Sequence, residues 1–356
     1  MFQPKFVVNQ KILKYISQIE VAKEIIENSP LVPQWEVKFR EEAMLRSVHH
    51  GTHVEGNQMT LGEVKGALEG RDVPARERDV QEVLNYRNVL RYIDKWSRTE
   101  SEAEKPIDSG TLLKMHEIVM NNILPPERLA AIRDVDVVLK SSRTGMTSFR
   151  PPTHYNVPAL VNFFLEWLNS AEFDELHPVL RAGITHYELV RIHPFVDGNG
   201  RVSRAMAILV LFKGGYDVKR FFSIEEYFDR DSARYFQTLQ NTSNQLVIDN
   251  NERDLTEWLE YFSEGLAVEL ARVKEKVKKL SVDLKLQNRV GQITLNERQM
   301  ALVEYMEDYG GISNKEWRTL LTGVSDDTVL RDMQDLIKKR LVKKEGTTKA
   351  SRYKLV

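Results

Sequence analysis

The sequence contains no cysteine in its 356 residues, which removes a disulfide framework, a thiolate nucleophile and cysteine-ligated zinc from the chemistry open to it. No apolar run approaches the ~18 residues of a membrane-spanning helix. The opening stretch, MFQPKFVVNQKILKYISQIE, lacks the continuous apolar segment and small-residue cleavage site of a secretory signal. Charge of one sign is not in excess either. Lys+Arg number 51 against 52 Asp+Glu, a formal net charge of −1, so nothing draws the whole chain to nucleic acid or an anionic membrane. Any basic surface must be local. These absences predict a soluble, cytoplasmic protein with no membrane partner. Two phosphate-site motifs are missing as well: the sequence has no G-x-x-x-x-G-K-[ST] loop and no set of kinase motifs.

What the sequence does have is helical periodicity, and the expected fold is mainly α. Ile12, Leu13, Ile16, Ile19 and Ile25 predict a helix over 9–28, and Pro30 and Pro33 punctuate its end before a second helix over 34–50. The two are expected to pack as a hairpin. Further helical patterns run over 60–68, 76–96, 109–120, 157–169 and 177–192, with no internal repeat. The exception is DVDVVLKSSRTGMTSFRPP, 134–152, where a β-rich run meets a turn and stops at Pro151-Pro152; it reads as a β-hairpin among helices. Leu255, Trp258, Leu259, Phe262, Leu266, Leu270, Val273, Val277 and Leu280 mark one long amphipathic helix, and a domain boundary is expected near 285–292. The resulting division is a helical amino-terminal region, 1–105, a core, 106–250, a connecting helix, 251–289, and a carboxy-terminal module, 290–356.

The chemistry concentrates in IHPFVDGNGRVSR, 192–204, between an apolar helix ending near Val190 and another beginning near Ala205. Gly198 and Gly200 tolerate positive φ and let backbone N–H groups approach a ligand, while the following helix offers its positive end. This is an anion nest. Arg201 and Arg204, three apart, share a helix face and can fork phosphate oxygens, and Asp197 beside them suits a divalent cation. The pattern points to a polyphosphate with Mg²⁺. His193, with an ordinary pKa near 6.5, can take a proton from an incoming nucleophile at neutral pH. Phe195 anchors the loop in the core. A calcium loop is excluded, because aligning Gly200 with its invariant glycine puts Phe195 at the first ligand position and Met206 at the bidentate glutamate position.

These residues resemble the signature of Fic-domain proteins, H-x-F-x-[DE]-G-N-G-R-x-x-R, with every fixed position filled from His193 to Arg204. The resemblance extends over roughly residues 35–245 and includes the upstream hairpin and Pro151-Pro152. It implies a Fic-type helical core with a small β-hairpin flap that transfers AMP from ATP to a hydroxyl side chain, Tyr, Thr or Ser, of a target protein and of itself. By the same resemblance His193 deprotonates the acceptor, Asp197 holds Mg²⁺, Asn199 with the backbone of Gly198 and Gly200 cradles the α-phosphate, and Arg201 and Arg204 hold the outer phosphates. Relatives with lysine at the second glycine resemble kinases, so Gly200 argues for nucleotide transfer. The hairpin becomes a flap that aligns the target segment by strand addition. Met146, Thr147, Ser148 and Phe149 would lie nearest the nucleotide, and Tyr235 with Phe236 would flank its base.

THVEGN, 52–57, resembles the family's inhibitory segment [ST]-x-x-x-E-[GN], which implies that Glu55 pairs with Arg204 and occupies space needed by the γ-phosphate. The departure is Gly51, where the pattern expects a hydroxyl; either Thr52 substitutes or the helix is less tightly docked. His49 and His53, four apart, would permit metal binding, but no third ligand lies at helical spacing. In the carboxy-terminal module three helical stretches are followed by VKKEGTTKASRYKLV, which reads as a two-stranded wing; the whole resembles a winged helix-turn-helix. From 326 to 356 Arg331, Lys338, Lys339, Arg340, Lys343, Lys344, Lys349, Arg352 and Lys354 face five acids. Duplex DNA, a docked protein or a second copy of the chain are the partners such a module suits. A DNA-binding regulator with a nucleotide-sensing core is the alternative to the enzyme, and the presence of His193 favours the enzyme.

Overall fold

The computed structural model describes residues 2–31, 33–98, 105–140, 147–245, 253–287, 295–346 and 351–356. It divides into two compact units, Met1–Lys279 and Leu280–Val356.

In the first unit the helices start and stop where the local chemistry directs. α1, Gln10–Asn28, is capped by Asn9, whose side chain accepts from the N–H groups of Lys11 and Ile12. Its buried Ile12, Ile19, Ala22 and Ile26 form one stripe. α2, Pro33–His53, opens on proline. α3, Leu61–Leu68, begins with a capping box between Thr60 and Glu63. α4 spans Glu77–Arg98, and α5, Ser109–Met120, is capped by Asp108. The hairpin expected of α1 and α2 is replaced: α1 packs on the short turn Val218–Arg220, and α2 on α3, α4 and the later helix Ile224–Arg230. Aromatic packing gives the reason, since Phe39 of α2 meets Phe221 at 5.1 Å rather than a residue of α1.

The flap is a two-stranded antiparallel ribbon, β1 (Leu139–Lys140) and β2 (Thr147–Phe149), with Leu139 opposite Phe149. It is shorter than the 134–152 run suggested, and Met146 and the turn at 141–145 lie outside the described residues. Next come α6 (Val157–Leu168), α7 (Ala171–Glu175) and α8 (Pro178–Ile192). α9, Asn199–Lys213, runs back against α8 at the centre of the unit and is buried nearly all round. α2, α4 and α5 also pack on it. Its weak amphipathicity is that of a helix enclosed on every side. α10 (Ile224–Arg230) and α11 (Ser232–Ser243), not anticipated from the sequence, follow, and α12, Thr256–Gln287, is the long amphipathic helix.

The second unit orders its elements as α13 (Glu297–Tyr309), β3 (Ile312–Ser313), α14 (Asn314–Leu320), α15 (Asp326–Lys338), β4 (Val342–Glu345) and β5 (Arg352–Leu355). The sheet is antiparallel in the order β3-β5-β4. Leu302, Ile312, Trp317, Met333, Leu336 and Val342 build its core. The two-residue β3 is too short to leave an alternating pattern in the sequence.

Candidate active site

The site is built where α8 gives way to α9. His193 ends α8 in the left-handed region, φ 53° and ψ 60°, with its N–H donating to the Leu189 carbonyl at 3.0 Å. A side chain in that conformation costs about 1–2 kcal/mol, so the surroundings must hold it. They do so from both sides. Asn199 closes the loop: its Oδ1 accepts from the Phe195 N–H at 2.9 Å and its Nδ2 donates to the Phe195 carbonyl at 2.8 Å. Phe195 is buried and stacks on His116 of α5 at 3.8 Å. His116 Nδ1 accepts from the Ala130 N–H at 3.2 Å, which leaves Nε2 to donate to the Asp197 carbonyl at 3.2 Å. Burial pushes the His116 imidazole down to about 4, so it stays neutral with one donor and one acceptor.

His193 itself is half-buried, and its Nδ1 lies 3.2 Å from the Val190 carbonyl. That contact places the ring hydrogen on Nδ1 and leaves the Nε2 lone pair free. Burial pushes its pKa down to about 4, Arg133 adding to the shift while the Val190 bond, Glu55 and Asp197 oppose it. The imidazole is therefore neutral at physiological pH and able to accept a proton.

Beyond the loop, Gly198 caps α9 at φ 81°, and the first intrahelical bond runs from the Val202 N–H to the Gly198 carbonyl at 3.0 Å. The N–H groups of Asn199, Gly200 and Arg201 precede it and remain for a ligand. Arg201 and Arg204 are both buried. Arg201 Nη1 lies 3.3 Å from Glu82 Oε1 and Nη2 lies 3.6 Å from Asp197 Oδ1, but Nε and Nη1 find no hydrogen-bond partner among the described residues. A buried cation with open donors is a site for an anion. Arg204 donates through Nη1 to Glu55 Oε1 at 2.7 Å and through Nη2 to the Gly51 carbonyl at 2.8 Å. Burial disfavours its charge, yet Glu55, together with Tyr235 and Tyr86, holds the guanidinium above its ordinary range.

Glu55 also sits over the nest. A Cβ added to Gly200 would fall 2.1 Å from Glu55 Oε1. The Gly51 departure has a steric reason: a Cβ there would fall 2.4 Å from the Tyr86 ring of α4. Thr52 does not stand in for the missing hydroxyl, because its Oγ1 donates to the Val48 and His49 carbonyls of its own helix. The end of α2 is closely seated on Tyr86 and Arg204. His50 and His53 each turn Nδ1 to Asp229, at 2.7 and 2.8 Å, and no group of three or more His, Cys, Asp or Glu able to hold a metal occurs among the described residues.

Asp197 accepts from the Gly198 N–H on Oδ1 at 2.6 Å and from Arg78 of α4 on Oδ2 at 2.7 Å. One carboxylate completed by substrate phosphates is a usual Mg²⁺ arrangement, so its hard oxygens suit that ion.

Two expectations need correction. Both amide atoms of Asn199 are committed to the Phe195 backbone, so its side chain orders the loop and only its N–H is left to a phosphate. Tyr235 does not flank an open base pocket: it is 1% exposed, bonds His186 through its hydroxyl at 3.0 Å and stacks on Phe228 at 4.9 Å. Burial raises its phenol to about 12. α11 turns that face to the core and leaves Phe236, 48% exposed, on a helix that packs on β2. His116, Arg133, Arg78 and Glu82 escaped the sequence reading. Only Arg133 carried a signal, a lone cation in the run LAAIRDVDVV.

A neutral imidazole with a free nitrogen, a nest of helix-terminal donors and two buried arginines meet in one site. Residues 106–211 match the model of the Fic/DOC family. Among curated proteins it is 31% identical over 185 residues to "Protein adenylyltransferase Fic" of Drosophila grimshawi, covering 50% of this chain and 35% of that one. The corresponding protein of Drosophila melanogaster is 32% identical over 182 residues, covering 50% and 34%. The chain thus spans about a third of the length of these relatives. Among solved structures, a Fic family protein from Desulfovibrio desulfuricans G20 aligns over 100% of this chain and 98% of its own with a TM-score of 0.66 at 21% identity. Fic-1 of C. elegans aligns over 77% and 74% with a TM-score of 0.57 at 20% identity. These structures share its fold.

Proposed function

We propose that the protein is an adenylyltransferase that moves AMP from ATP to a Tyr, Thr or Ser hydroxyl of a target protein and of itself, and that Glu55 restrains it. The observation that carries this reading is the free Nε2 of a neutral His193 at the mouth of a helix terminus backed by buried Arg201 and Arg204. In the step, the acceptor oxygen attacks the α-phosphorus and its proton passes to His193 Nε2. The new O–P bond forms as the bond from the α-phosphorus to the bridging oxygen breaks, and pyrophosphate leaves. The N–H groups of Asn199, Gly200 and Arg201 stabilise the α-phosphate oxygens as charge develops, and Arg201 holds the departing phosphates. Mg²⁺, when bound, would be held by Asp197 and would neutralise phosphate charge.

Self-restraint is supported by the 2.7 Å contact of Glu55 with Arg204. While the pair stands, Arg204 is closed to a γ-phosphate, and a negative charge lies over Gly200. The test is to incubate the protein with Mg²⁺ and α-labelled ATP, alone and with cell extract, and identify labelled proteins by mass. Label in the wild type or in Glu55→Gly that vanishes in His193→Ala supports the reading; its absence in both refutes it.

A second reading rests on the carboxy-terminal unit, whose element order suits a winged helix. Several of its cations are engaged: Lys339 pairs with Asp335, Lys343 and Lys354 with Glu345, and Arg352 bonds the Gly311 carbonyl. Arg331, Lys338, Arg340 and Lys344 carry no ion pair among the described residues and are the candidates for a phosphate backbone; Lys349 lies outside the described residues. Binding to duplex DNA that weakens steeply with salt, and less steeply after neutralising those four, would support it. No binding at low salt would leave protein docking.

A further inference from the structure

Arg133 is a cation buried to 2% exposure just before the flap, and it makes no close pair with a carboxylate: Asp136 is 3.8 Å away and mostly exposed. Its nitrogens instead address three carbonyls from three stretches of chain. Nε donates to His193 at 2.8 Å, Nη1 to Val135 at 2.9 Å and Nη2 to Pro152 at 2.5 Å. Its own N–H donates to the Pro194 carbonyl at 2.9 Å. Val135 and Pro152 are the two legs of the segment that carries β1 and β2. One rigid guanidinium therefore joins both legs of the flap to the residue whose imidazole is the base.

We infer that Arg133 is a positioning residue for the transfer step, fixing the distance between the flap, which aligns the acceptor, and His193, which takes its proton. The inference rests on the transferase reading and adds a requirement to it. The contact with the His193 carbonyl also supports the left-handed backbone there, which directs the ring into the site. A planar fork suits this task because the three acceptors lie in different directions; an ammonium, a single point of charge, cannot meet all three along the same lines. Phosphate binding has different owners, the α9 terminus with Arg201 and Arg204. Loss of Arg133 should accordingly leave nucleotide affinity standing while acceptor alignment fails.

The test uses the full chain in the Glu55→Gly background, with Arg133→Lys and Arg133→Ala added separately. ATP affinity is measured by calorimetry, AMP transfer to protein by label, and AMP release to water by chromatography. The expected result for Arg133→Lys is unchanged ATP affinity, transfer reduced on the order of 10²-fold, as misplacement of about 1 Å can cause, and a larger share of AMP released to water. Arg133→Ala should be more severe in the same sense. Equal losses in transfer and hydrolysis, full transfer by Arg133→Lys, or lost ATP binding would each overturn the inference, the last because it would make Arg133 a prop of the whole fold. Amide exchange supplies a readout that needs no activity. In Arg133→Lys, exchange should quicken at 135–140 and 147–150 but not along α9, and unchanged exchange would also overturn the inference. If the Glu55→Gly parent labels nothing, the transferase reading fails, and the exchange result still decides whether Arg133 holds the flap.

Discussion

Two ion pairs stand at opposite sides of the nest, with the same 2.7 Å separation and very different settings. Arg204–Glu55 joins a fully enclosed guanidinium to a carboxylate one-third exposed, whereas Arg78–Asp197 joins side chains 58% and 37% exposed. On the proposed function, each would occupy a group that a ligand needs: a phosphate-binding cation in the first, a Mg²⁺-binding carboxylate in the second. Distance alone ranks them equal. Burial separates them, because removing one partner of a buried pair costs about 3–5 kcal/mol, while an exposed pair is worth about 0–1 kcal/mol. With Glu55 partly exposed the first figure falls somewhat, but the order holds. Restraint should therefore reside with Glu55, and Arg78 should act as a light counterion that yields to Mg²⁺.

The largest expected effect tests the buried pair. Glu55→Gly frees Arg204 and should raise labelling on the order of 10²-fold, the scale set by restoring reactive alignment. Glu55→Asp, one methylene shorter, should give an intermediate rate, and Glu55→Gly/His193→Ala should label nothing. An unchanged rate in Glu55→Gly would remove the distinction between the pairs. Next in size is the pH response of Glu55→Gly. The active His193 is neutral, so activity should hold from alkaline pH down through pH 6 and fall as pH drops through about 4. Of the charged groups facing that ring, Arg133 from the segment before the flap, Asp197 from its own loop and Glu55 from the turn after α2, only the last is gone in this variant. A half-point near 6.5 would show that burial does not set this ring's pKa. Smallest is Arg78→Ala. Measured by calorimetry in the His193→Ala background without acceptor, it should tighten Mg²⁺-dependent ATP binding by no more than about five-fold, as an exposed pair allows. A gain of two orders of magnitude would make Arg78 a second brake equal to Glu55.

Much of this was legible in the sequence for reasons that differ between elements. Helix ends followed their punctuation: Asn9, Thr60-x-x-Glu63, Asp108 and His177, with Pro178 at the first helical position, act within four residues of what they cap. The grouping of His193, the nest and both arginines was legible because they lie on one continuous loop and helix turn. Glu55 was legible only through resemblance, since 149 positions separate it from Arg204. Arg78, Glu82, His116 and Arg133 reach the site from other segments, and no local spacing marks a side chain whose partner is set by packing. Tyr235 misled for the same reason: adjacent aromatics on a helix point about 100° apart, and the sequence does not say which of Tyr235 and Phe236 faces the core.

Glu55 and the nest meet at one atom. A side chain at position 200 would strike the Glu55 carboxylate, so even a single added methyl there would require the Glu55 side chain to move. On the proposed reading, replacing this glycine would therefore loosen the restraint as well as reshape the phosphate site, so the two properties would be expected to change together.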